Sequence, residues 1–185
     1  MNLFDIIFIG LALSMEPVAV SMKNRMVYSN MTKDKEVSMP IFFGVFQGIM
    51  SILGFYTGRQ MEEYITRNSE MVIFVLLGIV GYEMIKEGLS KEEETSNNIT
   101  LNYKVLFIQG LVTSIYTYVV GISFCASEVN VFISSAIIAV ITFICSKISI
   151  SIDRKFQDIL RDKTQILGGI ILILIGIKFI LKCIK

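Results

Sequence analysis

The chain has 185 residues, 54% of them hydrophobic and only 18% charged, where soluble domains carry about a quarter charged. A net charge of +1 gives no basic footprint for a nucleic-acid partner, and the lack of any histidine removes the usual Cys/His zinc site. Cys125, Cys145 and Cys183 then read as small apolar residues in or near helices.

A bilayer crossing takes about 20 mostly apolar residues, and inside lipid a lone segment satisfies its backbone only as a helix. Runs of this kind occupy 3–22, 39–58, 71–89, 105–124, 131–150 and 166–184. The sequence therefore predicts an all-α integral membrane protein of six transmembrane helices, with no separate soluble domain. Asp5 stands where a cleaved leader would be basic, and no small-residue cleavage site follows, so the first run reads as a span. The polar breaks fall at 23–36, 59–70, 91–102, 127–130 and 153–163. The acidic run 92–94 reads as a solvated loop, and Asn98-Ile99-Thr100 fits a glycosylation triplet that is common by chance.

Lys and Arg concentrate in the first, third and fifth breaks: Lys23, Arg25, Lys33 and Lys35, then Lys86, Lys91 and Lys104, then Arg154, Lys155, Arg161 and Lys163. The other side carries Arg59, Arg67, Lys182 and Lys185. Because positive loops stay in the cytoplasm, both termini are expected outside a cell membrane.

In span one, Glu16 lies about 13 residues in, roughly 20 Å along a helix. An ionised carboxylate at that depth is costly unless paired or hydrated, and such residues line transport paths. The bland alternative is a protonated Glu16 bonded to a neighbouring helix. Pro17 removes the N–H that would bond the Leu13 carbonyl and predicts a kink there. A carboxylate beside a freed carbonyl makes an all-oxygen corner suited to a hard cation.

Gln47 and Ser51 share a face of span two, and Thr113, Ser114 and Thr117 form a comparable face in span four. Each of these, like Thr142 in span five, also fits as helix–helix glue worth about 0.6 kcal/mol. Gly44, Gly48, Gly78, Gly81, Gly168, Gly169 and Gly176 read as close-approach positions. Glu83 and Lys178 fall near opposite faces, so a local Glu83–Lys86 bridge is expected rather than a Glu83–Lys178 pair. Met15, Met22 and Met50 read as filler.

Leu13-Ser14-Met15-Glu16-Pro17-Val18-Ala19-Val20-Ser21 resembles Thr113-Ser114-Ile115-Tyr116-Thr117-Tyr118-Val119-Val120-Gly121, and Tyr116 falls where Glu16 stands. A weaker match relates 80–85 to 175–180. Residues 1–90 and 91–185 then form two three-helix repeats, which an odd number of spans inserts in opposite orientations, with a site at the midplane between them.

The same segments resemble the MntP-type manganese efflux pumps over nearly the whole chain. The residues that carry the likeness are Ser14 to Ser21, Gly44 to Gly54 with its Phe46-Gln47, Met84-Ile85-Lys86-Glu87-Gly88, Thr142 to Ser146, and Ile166-Leu167-Gly168-Gly169. Against the family pattern, Glu16 replaces the first aspartate, Tyr116 the second, and Ser51 a proline. The resemblance implies export of a divalent cation, Mn²⁺ first, with Glu16 as principal ligand or proton-coupled carboxylate. Gln47, Ser114, Tyr116 and Thr117 would line the path. The cation is cargo and no permanent cofactor is implied; the bilayer is the other partner, and a homodimer is compatible. The rival reading is a non-transporting scaffold or sporulation-type membrane protein that kept the fold. An intramembrane enzyme has little to recommend it, since no nucleophile–base set is present.

Overall fold

The computed structural model describes residues 1–28, 31–60, 69–90, 101–127, 129–152 and 154–183. Of the predicted break 91–102, residues 91–100 with the glycosylation triplet and the acidic run lie outside the described residues, as do residues 61–68, with Arg67, of the break 59–70. Among the described residues, helical segments follow in order: α1 (Leu3–Val27), α2 (Lys33–Gln60), α3 (Ser69–Leu89), α4 (Tyr103–Thr113), α5 (Ile115–Ala126), α6 (Val131–Ser151) and α7 (Arg154–Cys183). No strand occurs among the described residues.

The protein is an all-α integral membrane protein. Among the described residues, five stretches are long and apolar enough to cross a bilayer: Leu3–Val27, Lys33–Gln60, Tyr103–Ala126, Val131–Ser151 and Lys163–Leu181. The third, α4 plus α5, is one span interrupted at Ser114. The third predicted span, α3, has 21 residues, the same length as α6, but carries Glu83, Lys86 and Glu87 near its C-terminal end. Large apolar side chains such as Phe4, Ile79, Ile133 and Leu174 stay exposed along the helices, as lipid contact requires.

The helices outrun the apolar segments. α1 continues to Val27, α2 starts at Lys33 and α7 starts at Arg154, so most of the first and fifth predicted breaks is helical. Asn102 and Asn130 start α4 and α6 by accepting bonds from the free N–H groups of Val105 and of Phe132 and Ile133. α1 is one continuous helix through Pro17. An interruption falls in span four, where no proline stands.

Glycines fix the packing. A Cβ on Gly81 would lie 2.6 Å from the Gly169 carbonyl oxygen, and one on Gly169 would lie 2.4 Å from that of Gly81, so α3 and α7 touch backbone to backbone. Gly54 and Gly121 bring α2 against α5 in the same way. Gly44 meets Ala139 and Phe143 while Gly48 meets Ala139 and Ser135, which runs α2 antiparallel to α6. α1 packs on α6 and α7, and the interrupted span packs mainly on α2 and α3.

Polar contacts tie both ends. At one end Lys178 Nζ donates to Asp5, and the Ser127 hydroxyl reaches Met1 Sδ at 3.2 Å. At the other, Arg25 bridges to Glu36, and the amides of Asn24 and Gln109 exchange bonds of 2.7 and 2.9 Å. Lys86 pairs locally with Glu83 at 3.4 Å, as expected, while Lys178 takes the partner its position did not reveal.

Candidate functional site

Glu16 projects from the middle of α1 into the bundle and is 7% exposed. Its Oε2 has no hydrogen-bond partner. Two other buried side-chain oxygens share that condition among the described residues, Thr142 Oγ1 and Ser146 Oγ, one turn apart on α6. Buried polar atoms are nearly always satisfied, so three orphans, all oxygens and all on the neighbouring helices α1 and α6, mark a place suited to a cation.

α6 carries a buried polar stripe, Ser135, Thr142, Ser146 and Ser149, spaced to lie along one helix face. Its upper member is engaged: Ser135 and Ser51 of α2 share a 2.7 Å hydrogen bond. The register between α1 and α6 follows from Gly10, where a Cβ would lie 3.0 Å from Ile141 Cδ1 and 3.5 Å from Ile138 Cγ1. Six residues on from Gly10, Glu16 comes level with the stretch that carries Thr142 and Ser146.

The second group is built around the break in span four. Gln47 Nε2 donates to the Thr113 carbonyl at 3.2 Å, and Thr117 donates its hydroxyl to Gln47 Oε1. α4 ends at Thr113, where the Ser114 N–H closes the last turn on the Leu111 and Val112 carbonyls. The Gln47 amide takes up the next carbonyl, that of Thr113, and the Ser114 hydroxyl donates back to the Leu111 carbonyl at 2.8 Å. Gln47, Ser114 and Thr117 are all fully buried. The structure thus joins Gln47 and Thr117, predicted separately, into one unit.

Tyr116 points elsewhere. Its hydroxyl donates to Glu87 Oε1 of α3 at 2.6 Å, and Gln165 of α7 approaches Glu87 Oε2 at 3.4 Å. Tyr116 lies within electrostatic reach of both Glu16 and Glu87. Glu87 was legible only as part of the Met84-Ile85-Lys86-Glu87-Gly88 segment, and Ser146 only as the end of another. Nothing in the local sequence pointed to the Asn24–Gln109 amide pair. No group of three or more His, Cys, Asp or Glu able to hold a metal occurs among the described residues, so any cation here rests on few carboxylates and many neutral oxygens.

A bundle of apolar helices with a buried carboxylate, orphan hydroxyls and an interrupted span defines a polytopic membrane protein with a polar interior. Comparison with known proteins identifies which kind. A family model described as "Putative manganese efflux pump" (Mntp) matches residues 30–180, and the chain belongs to that family. It is similar to "Putative manganese efflux pump MntP" of Ruminiclostridium cellulolyticum, 34% identical over 183 residues, covering 98% of this chain and 97% of that one. A protein of the same name from Methanobrevibacter smithii is 34% identical over 180 residues, covering 97% of both chains. "Putative manganese efflux pump MntP 2" of Clostridium botulinum (strain Langeland) is 32% identical over 192 residues, covering 98% of this chain and 96% of its own. No solved structure matches.

Proposed function

We propose that this protein exports a divalent cation, Mn²⁺ foremost, across the cell membrane, acting as a transporter and not as an enzyme. The observation that carries the reading is the orphaned Oε2 of Glu16, buried in the bundle. A carboxylate held there without a partner is expensive, and a hard cation taking oxygen ligands relieves that cost. Thr142 and Ser146 would add hydroxyl oxygens. Gln47, Ser114, Thr117 and Tyr116 would line the path between the two halves. Mn²⁺ is then cargo, and a proton can take its place on Glu16, which leaves exchange chemically open. The names of the relatives support Mn²⁺ over other cations.

The two halves, 1–90 and 91–185, act in this reading as inverted repeats. The neighbour relations support it, since span one packs on spans five and six as span four packs on spans two and three. The basic end of the bundle would face the cytoplasm and both termini the outside. A homodimer is compatible with this arrangement.

One observation favours the rival, a scaffold or sporulation-type protein: Tyr116 offers a phenol where the family has an acid, and that phenol is engaged with Glu87. The test is Mn²⁺ tolerance and efflux in an exporter-deficient bacterium, alongside Cd²⁺, Zn²⁺ and Co²⁺. Restored tolerance with lowered cell Mn²⁺, lost in Glu16→Gln, is expected. No effect for any cation at normal expression overturns export.

A further inference from the structure

We propose that Glu87, near the C-terminal end of α3, is a second cation-binding carboxylate that completes the site of Glu16, positioned by the Tyr116 hydroxyl and the Gln165 amide. The inference rests on cation export as read above and adds a ligand to it. Its starting point is charge. One carboxylate leaves a divalent ion with an uncompensated charge in a low-dielectric interior, so a second anion should lie near Glu16. Glu70, at the start of α3, accepts from the neighbouring Ser69 hydroxyl at 3.0 Å. Asp5 faces Lys178, Glu36 faces Arg25 and Glu83 faces Lys86. Glu87 is instead held by neutral donors, a phenol at 2.6 Å and an amide at 3.4 Å, so its charge remains available.

Gly168 supplies the register. A Cβ there would lie 2.6 Å from the Ala12 carbonyl oxygen, 2.8 Å from Met84 Cε and 3.0 Å from Met15 Cβ. α1 and α3 are therefore level at Met15 and Met84, on either side of α7. Glu16 follows Met15 directly, and Glu87 stands three residues beyond Met84, on the same side of α3 by helical spacing. Glu16 is buried with a free oxygen aimed into the bundle, while Glu87 is exposed. A hard divalent cation arriving from that end would meet Glu87 first and pass inward to Glu16. The Tyr116 oxygen, already at Glu87, is a neutral third ligand. Tyr116 thus does not leave the family's second acid position empty; it recruits an acid from another helix.

The test measures Mn²⁺ binding to the purified full-length protein in nanodiscs, following free Mn²⁺ by its electron paramagnetic resonance signal. Glu87→Gln should weaken binding by about tenfold or more, as loss of one ionic ligand implies. Glu87→Asp should keep more of the affinity, and Glu83→Gln, which alters a carboxylate already paired with lysine, should bind as the unaltered protein does. Because Glu87 is exposed, Glu87→Gln should fold normally, which its elution profile and melting temperature check. Equal Mn²⁺ affinity in Glu87→Gln and Glu83→Gln overturns the inference while leaving export intact. An unaltered protein that neither binds nor exports a divalent cation overturns both.

Discussion

Lys178 of α7 donates to Asp5 of α1, so the last helix is tied to the first turn of the chain by an ion pair whose acid is almost wholly buried and whose base is about half exposed. Removing the cation leaves the buried Asp5 carboxylate, which also accepts from the Asn2 N–H, short of one counter-charge, whereas removing both charges does not. Lys178→Met should therefore destabilise the protein by about 1–2 kcal/mol, the usual cost of breaking a buried pair reduced for the exposure of the lysine. Asp5→Asn/Lys178→Met should recover part of the loss. Thermal unfolding in detergent checks both. A double variant less stable than the sum of the two singles would mean that the pair is not the relevant contact.

The backbone contacts at glycine predict a contrast between neighbouring sites. A Cβ on Gly54 would fall 2.0 Å from the Tyr118 carbonyl oxygen, which belongs to the backbone of α5 and cannot swing aside. Gly54→Ala should cost more than about 2 kcal/mol or prevent accumulation in the membrane. On α3, a Cβ at Gly78 meets nothing within 4 Å, so Gly78→Ala should be neutral or stabilise by up to about 1 kcal/mol through helix propensity. Melting temperatures of the two variants, measured side by side, decide it.

Gln47 is predicted to matter through the break at Ser114. Gln47→Leu removes the donor to the Thr113 carbonyl and the acceptor of the Thr117 hydroxyl, leaving two buried groups unpaired. Each orphaned group costs about 1–3 kcal/mol. The expected result is a lower melting temperature together with faster hydrogen exchange in α4 and α5. Unchanged exchange there would show that the break persists without Gln47.

These cases show what one sequence discloses and what it hides. The spans were legible because lipid imposes length and hydropathy on every crossing, and the Glu83–Lys86 bridge because its members are one turn apart. The helix ends were not, since the charged stretches after span one and before span six continue as helix. Pro17 was visible, yet the interruption sits at Ser114. A proline removes only its own N–H from a helix, whereas the break in span four is held by Gln47, which is 66 residues away from Thr113 in the chain. Asp5–Lys178 spans 173 residues and Tyr116–Glu87 spans 29, each joining different helices. No local pattern encodes such pairings. Glu16 was found because a deep carboxylate is conspicuous in an apolar helix; Thr142 was read as helix–helix glue, and Ser146 was not singled out because hydroxyls there usually bond their own backbone.

The orientation is tested by labelling. In a variant lacking Cys125, Cys145 and Cys183, a cysteine at Thr32, between α1 and α2, should react with an impermeant maleimide only in inverted vesicles. One at Val129, between α5 and α6, should react in intact cells. The reverse pattern would invert the assignment and place the termini in the cytoplasm.

Tyr116 offers the sharpest separation of charge from shape. Tyr116→Phe and Tyr116→Asp both lose the hydroxyl that holds Glu87, but only the second adds a carboxylate. If position 116 belongs to the cation site, Tyr116→Asp should bind Mn²⁺ about tenfold more tightly than Tyr116→Phe, because an added anion compensates the second charge of the ion. The gain should grow less at low pH, where a proton shared between nearby carboxylates competes with the cation. Tyr116 packs against the main apolar cluster, so the shorter aspartate also leaves a void, and Tyr116→Asp should melt lower than Tyr116→Phe. Stability and binding then move in opposite directions, which no general loosening of the fold produces. Equal Mn²⁺ affinity in the two variants, with both folded, would remove position 116 from the site and leave Glu16 and Glu87 to be judged on their own substitutions.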